Sequence, residues 1–258
     1  MKNSEDDIDY NAITMPFRRR DQNHMPWQTI LAEAVRNGEP ADFSNESMNR
    51  IYAVQKLETR TRYLHHLIMD FNIISNRVRA LLVDRLNTVG EKRDFSIVSI
   101  GGGPGYDHVA LWAVLLFIRS MNHNNSMEDV RLRTRVFDLY KEWEPIISEV
   151  DKAVMNTSAS LETSEIGGNV STLMSSDLLS LHLCDIRLDL CADINAELCE
   201  AIDNVDILVF QFVMHENASI ILSEDEIKGA TLDILKNSRL GTIMICTDSF
   251  ATVCLAKP

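Results

Sequence analysis

Four glycines in five positions, Gly101, Gly102, Gly103 and Gly105, stand between two apolar runs in "FSIVSIGGGPGYDHVAL", residues 95–111. Glycine adopts φ > 0 without steric cost and carries no Cβ. A turn built on Gly101, Gly103 and Gly105 therefore lets backbone N–H groups approach a ligand closely. A helix that starts after the turn points its positive N-terminus at the same place. Two readings stand at this point: a ligand-binding turn, or a tight strand-to-helix connection with no ligand. Spacing narrows the ligand. The dinucleotide fingerprint G-x-G-x-x-G/A is met at Gly101 and Gly103 but fails at its third position, Tyr106, where a ring would hold helix and strand apart. No Lys-Ser/Thr pair follows the glycines, so the Walker A phosphate loop is absent.

Such a turn works only if the surrounding elements hold it. From Phe95 onward, short β-branched runs alternate with helical stretches. "FSIVSIG", "RLRTRVFDLY", "LLSLHLCDI", "VDILVFQFVMHE" and "GTIMICTD" read as strands. "YDHVALWAVLLFIRSM", "EWEPIISEVDKAVMNT", "NAELCEAI" and "SEDEIKGATLDILKNS" read as helices. Alternation of this kind with mostly apolar strands predicts a parallel sheet covered on both faces. In such a sheet ligands sit at the carboxyl ends of the strands, near the first one, and the glycines follow the first strand of this alternation. Upstream, "MPWQTILAEAVRNGEP" predicts a short helix. Residues 44–88 predict an amphipathic helical region in two or three pieces, with apolar residues at spacings of three and four and neither Pro nor Gly until Gly90. Residues 1–24 are polar and acidic and read as a disordered tail. The Ser/Thr-rich stretch at about 157–177 reads as a mobile insertion. The expected organisation is tail 1–24, helical cap 25–92 and α/β domain 93–258.

The spacing G-x-G-x-G, as Gly101-Gly102-Gly103-Pro104-Gly105, resembles the first motif of the class I S-adenosylmethionine-dependent methyltransferases. The resemblance covers about residues 94–250. The segments "GGGPGYD", "DLYKEWEPI", "LCDI" and "FVMHEN" resemble a poorly characterised eukaryotic branch, which carries no substrate assignment to transfer. It implies a Rossmann-like, doubly wound, mostly parallel sheet with helices on both faces, S-adenosyl-L-methionine as cofactor, and methyl transfer as the reaction. It places Asp138, at the end of the second strand, on the ribose hydroxyls, where one carboxylate can accept from both. It places Asp185, at the end of the third strand, on the adenine amino group, with Ile186 packing on the base. It turns the end of the fourth strand, Gln211, His215, Glu216 and Asn217, toward the ligands. Gln211 is grouped with the cofactor. His215 is the candidate general base because imidazole titrates near neutrality. Glu216 can do the same or bind a cationic acceptor. Each residue also has an ordinary reading: strand-end aspartates cap turns, and a histidine in a loop is usually only packed.

Two departures from the family bear on activity. The acidic residue it carries two positions before the first glycine is Ser99 here, and Asp107, in the first turn of the next helix, is the candidate substitute. The family's sheet continues past its fifth strand with an antiparallel hairpin. "ATVCLAKP" is too short for one, so strands six and seven are expected to be missing and the fifth strand to be an exposed edge.

Composition sets outer limits. Across 258 residues the formal net charge is −13, so the chain as a whole offers no basic field for long duplex nucleic acid; "FRRR" and "RLRTR" are its local basic runs. The five cysteines form no C-x-x-C pair and lie at no zinc-ligand spacing from a histidine, which predicts no metal site and a reducing compartment. The N-terminus lacks the apolar core of a signal peptide, and no run approaches the roughly 20 residues of a membrane span. An intracellular, soluble protein is expected, cytoplasmic or nuclear, with a small molecule, a protein or a structured RNA as acceptor. Two alternatives remain: a non-catalytic relative that serves as a binding module, favoured by Ser99 and the short C-terminus, and an NAD-dependent enzyme, disfavoured by Tyr106.

Overall fold

Val98, Ile100, Leu208 and Phe210 alternate with Phe95, Ile97, Ile207 and Val209, and every one of them is buried. That pattern requires a sheet with both faces covered. The computed structural model describes residues 27–37, 41–70, 73–88, 94–121, 131–162, 178–211, 230–247 and 252–256. Its sheet is built from β1 (Asp94–Ile100), β2 (Arg131–Asp138), β3 (Leu179–Leu183), β4 (Ile207–Gln211), β5 (Ile243–Thr247) and β6 (Thr252–Ala256). The order is β3-β2-β1-β4-β5-β6. The first five strands are parallel, and β6 runs antiparallel to β5. The parallel order 3-2-1-4-5 is the doubly wound, Rossmann-like arrangement that the sequence predicts. The chain steps outward from β1 to β3, then crosses back to β4 on the other side of β1. The crevice for a ligand therefore opens at the carboxyl ends, beside β1.

The expectation of a sheet ending at its fifth strand is corrected. β5 is no free edge, because Ile243 pairs with Ala256 and Thr247 with Thr252. A two-strand hairpin does not fit in "ATVCLAKP", but a single five-residue return does.

On one face lie α1 (Trp27–Asn37), α2 (Glu46–Met69), α3 (Ile73–Thr88), α4 (Tyr106–Met121) and α5 (Glu144–Glu162). The other carries α6 (Ala196–Ile202) and α7 (Ala230–Asn237). The long helical region breaks at Asp70, whose N–H donates to His66 O at 2.8 Å, while Arg79 caps the free carbonyls of Ile68 and Asp70 at 2.9 Å each. At its start, the Asn45 side chain accepts from Met48 N at 3.1 Å, an ordinary N-cap. α5 runs to Glu162, into the Ser/Thr-rich stretch. There Thr157 and Ser158 hydroxyls donate to the carbonyls four residues back at 2.8 Å, which accommodates them within a helix. Residues 163–177 lie outside the described residues.

The N-terminal helices share the core of the sheet. Leu57, Leu64 and Ile68 of α2 are at most 1% exposed and belong to one cluster with α4, which is buried on every side from Tyr106 to Leu115. Burying each of those side chains contributes about 1.5–3 kcal/mol. His65 is buried and His66 exposed, so only one of the adjacent pair packs inward.

Candidate functional site

The glycine turn uses its glycines in two ways. Gly101, Gly103 and Gly105 have φ of 61°, 46° and 88°, the left-handed region in which side chains are strained. Gly102 does not share that backbone. Its reason is space, because a Cβ there would stand 2.0 Å from Ser99 Oγ. Gly101 N–H donates to Phe137 O at 2.7 Å and Gly105 N–H to Gly102 O at 3.0 Å, which ties the turn to β2 and closes it on itself.

Beneath the turn, the Ser99 hydroxyl donates to Asp107 Oδ2 at 2.5 Å, and both residues are fully buried. The serine that departs from the family's pattern and the acid expected to substitute for it are thus joined directly. Burial pushes the Asp107 carboxyl up to about 6, although the Ser99 hydrogen bond and the Arg60 charge pull against it. Asp107 Oδ1 meets no hydrogen-bond partner among the described residues. Asp107 and Ser99 do not line the cleft; they brace the turn from behind.

The cleft opens over the turn and holds about 740 Å³ of empty space, including solvent at its mouth. Gly101, Gly103, Asp138, Asp185 and Ile186 all line it, so five residues named from the sequence converge there. Asp138, at the last position of β2, accepts from Gly103 N–H at 3.3 Å and from Tyr140 N–H at 3.2 Å. Its carboxylate and the glycine turn thereby form one continuous wall.

Asp185 is more constrained than its sequence position implies. Arg187 Nε and Nη2 donate to its two oxygens at 2.7 and 2.5 Å, and Arg187 N–H adds a third bond at 3.0 Å. Burial raises its carboxyl, but these bonds outweigh that and hold it below the usual range. Asn195, fully buried, fixes the local backbone by accepting from Asp185 N–H at 2.8 Å and donating to Asp185 O at 2.9 Å. Ile186 is buried in the cleft wall. Burial, with the Asp138 and Asp185 charges, raises the Cys184 thiol beside it, so that thiol serves as a packing group and not a nucleophile.

The helical region completes the wall. Tyr52 and Arg60 reach the cleft from α2, and Phe43 reaches it from the segment before α2. Trp143 lies 3.7 Å from where a Gly103 Cβ would stand and packs on Phe43 and Tyr52, at ring-centroid distances of 5.2 and 5.9 Å. Tyr52 thus lines the cleft, whereas Tyr63 and His66 of the same helix are exposed. Sequence reasoning missed Arg60, Arg187 and Trp143. For Arg60 a signal exists: it falls three residues after Leu57 and four before Leu64, so a charge stands beside the apolar stripe. For the other two there is none beyond their nearness to Asp138 and Asp185.

Gln211 closes β4 at its carboxyl end. His215, Glu216 and Asn217 lie outside the described residues. Among the described residues no group of three His, Cys, Asp or Glu side chains could hold a metal ion, and no helix is long and apolar enough to cross a membrane.

No protein-family model matches the chain, and no curated protein matches it in sequence. Solved structures match at low identity. An O-methyltransferase family protein from Burkholderia thailandensis is 14% identical over 85% of this chain and 49% of its own, with a TM-score of 0.32. The apo form of CalS11, a TDP-rhamnose 3′-O-methyltransferase of calicheamicin biosynthesis, is 12% identical over 91% and 82%, with a TM-score of 0.35. A protein-L-isoaspartate O-methyltransferase described from Plasmodium falciparum, in complex with S-adenosyl-L-homocysteine, is 11% identical over 90% and 88%, with a TM-score of 0.34. The chain thus spans about half the length of the Burkholderia protein. The matches are likenesses to methyltransferase structures, and the fold assignment itself rests on the strand order of this chain.

Proposed function

We propose that the cleft binds S-adenosyl-L-methionine and that the chain is a methyltransferase of the Rossmann-like class. The observation that carries this reading is the hydrogen bond of 3.3 Å from Gly103 N–H to Asp138. It joins a side-chain-free turn, at the end of β1, to a carboxylate at the end of β2. The residues present fit the cofactor by type. Asp138 would hold the ribose hydroxyls, Ile186 would pack on the adenine, and the backbone at Gly101 and Gly103 would admit the thioether portion. Asp185 would stand beside the adenine, with its ion pair to Arg187 fixing the orientation of the acceptor oxygens. The two departures that favour a non-catalytic relative both weaken, because Ser99 is bonded to an acid and β5 is paired.

The cofactor supplies an activated methyl group when bound. The chain's own work is to align and to exclude water. Tyr52, Trp143 and Phe43 roof the cleft with apolar surface. His215, four residues past the end of β4, is proposed to remove a proton from the acceptor, with Glu216 as its alternate or as the contact for a cationic acceptor.

Isothermal titration of the full chain tests the reading. S-adenosyl-L-homocysteine is expected to bind and NAD not to. Asp138→Ala is expected to weaken S-adenosyl-L-homocysteine by about 10- to 100-fold, the scale of charge-assisted hydrogen bonds. Absence of S-adenosyl-L-homocysteine binding in the folded protein sinks the reading. Binding without methyl transfer to any acceptor class would favour the binding-module alternative.

A further inference from the structure

The cleft has a direction. Asp185 and Arg187 stand past β3, Asp138 stands at the end of β2, and Gly101 and Gly103 follow β1. The strands lie in the order β3-β2-β1, so these groups follow one another along the carboxyl edge of the sheet. On the proposed reading, the adenine, the ribose and then the amino-acid end of the cofactor would follow that line. The α-carboxylate would therefore arrive beyond the glycine turn, where α4 begins at Tyr106.

Arg60 stands at that end. Its guanidinium carbon lies 5.4 Å from the ring centroids of both Tyr52 and Tyr106. It lines the cleft with both tyrosines. Thr61, the next residue, donates its hydroxyl to Tyr106 O at 3.5 Å, which ties α2 to the first residue of α4. Guanidinium faces serve aromatic rings, whereas its N–H donors lie in the plane and match a carboxylate as a fork. The N-terminus of the 16-residue α4 adds positive potential at the same point. Asp107, a buried acid near this end, accepts from Ser99 behind the turn and also feels the Arg60 charge.

We infer that Arg60, from the N-terminal helix α2, binds the carboxylate of the cofactor's amino-acid end. This rests on the proposed cofactor reading and deepens it: the N-terminal helices become part of the cofactor site and not a lid over an acceptor alone. Arg60 is then a binding residue that discriminates among adenosyl thioethers by whether they carry a carboxylate.

Three probes separate the contributions. S-adenosyl-L-homocysteine carries ammonium and carboxylate, its decarboxylated amine keeps only the ammonium, and 5′-methylthioadenosine has neither. Titrations use the full chain as wild type, Arg60→Met and Arg60→Lys, each checked for a native circular dichroism spectrum. In the wild type, removal of the carboxylate is expected to weaken binding by about 10- to 100-fold. Arg60→Met is expected to abolish that preference, with the amine and 5′-methylthioadenosine held within about twofold of wild type, on the same hydrogen-bond scale. Arg60→Lys is expected to restore part of it, because it keeps the charge and loses the fork. The inference is overturned if Arg60→Met leaves S-adenosyl-L-homocysteine affinity unchanged, or weakens all three probes equally. Failure of the wild type to bind any probe removes the cofactor reading itself, a result distinct from both.

Discussion

At the amino end of the sheet, Asp206 leads into β4 and its carboxylate is saturated. Arg85 Nε and Nη2 reach Oδ1 at 2.7 and 2.6 Å, Ser96 N–H reaches Oδ2 at 2.8 Å, and Arg239 stands at 3.5 Å. At the carboxyl end, Asp138 accepts two backbone N–H groups at 3.2 and 3.3 Å and faces the cleft. Both are strand-terminal aspartates of one sheet. Asp206 uses its acceptors to fasten α3 to the strands. Asp138 holds a turn and keeps a wall of a cavity polar. The amino end spends its aspartate on fastening a helix, and the carboxyl end keeps its aspartate on the wall of an open cleft.

Alanine at each aspartate tests that contrast, and gives the largest expected effect. Asp206→Ala leaves Arg85 and the Ser96 N–H without their acceptor, and breaking a buried ion pair by removing one partner costs about 3–5 kcal/mol. Among the described residues, Asp138→Ala removes two long hydrogen bonds at a half-exposed position, at about 1 kcal/mol. Urea denaturation of both variants beside the wild type measures the difference. Equal losses would mean that Asp138 is as structural as Asp206, and the functional reading of the cleft would lose its main support.

Legibility in the sequence follows the same division. The glycine turn was readable because its requirement is local: backbone at φ of 46–88° admits little else, and the strand before it and the helix after it announce themselves by period. Asp138, Asp185 and Ile186 were readable because the end of a β-branched run predicts its own place on the sheet edge. Arg60 and Phe43 reach the cleft through the way α2 and its preceding segment cross the start of α4, a tertiary event whose one local trace is the charge of Arg60 beside an apolar stripe. The Arg187 ion pair hid for another reason: a residue two positions after an expected ligand reads as loop. β6 was missed because a five-residue run at a chain end has no period of its own and becomes a strand only by pairing with β5.

A smaller effect concerns pH. Beneath the carboxyl end, Asp107 and His108 are buried side by side with hydroxyls as hydrogen-bond partners: Ser99 at 2.5 Å and Thr134, whose Oγ1 lies 2.9 Å from His108 Nδ1. Burial lowers His108 from 6.5 to about 4 and raises Asp107 from 3.8 to about 6. At pH 5 the unfolded chain binds a proton on His108 that the folded chain refuses. Its contribution is therefore complete above pH 6.5 and is lost as pH falls through 4. Asp107 has the opposite sign: the folded chain keeps a proton that the unfolded chain releases, so stability present below pH 3.8 is lost as pH rises through 6. Each contribution amounts to about 3 kcal/mol across the window. Buried His65, lowered to about 4 by burial and by His66, adds to the His108 side. His108→Gln is expected to flatten the rise in stability between pH 4 and 7, and Asp107→Asn to steepen it. Thermal melts of the three proteins at each pH are the measurement; parallel profiles would place both groups in water.

The smallest expected effect lies within the turn itself. Gly102 has no positive φ to protect, so Gly102→Ala tests space alone. The added Cβ would stand 2.0 Å from Ser99 Oγ and 3.3 Å from Val136 Cγ1. The hydroxyl must swing away and leave Asp107, and overpacking of this kind costs about 1–3 kcal/mol. Ser99→Ala alone deprives the buried Asp107 of its donor, at about 1–3 kcal/mol. In the double variant the hydroxyl is absent before the methyl arrives, so the second loss is already counted in the first. The double variant is expected to fall short of the sum by about 1 kcal/mol, read from denaturation midpoints as a double-mutant cycle. Additive losses would show that Ser99 and Gly102 act separately, and that the serine under the turn is not what requires the middle glycine above it.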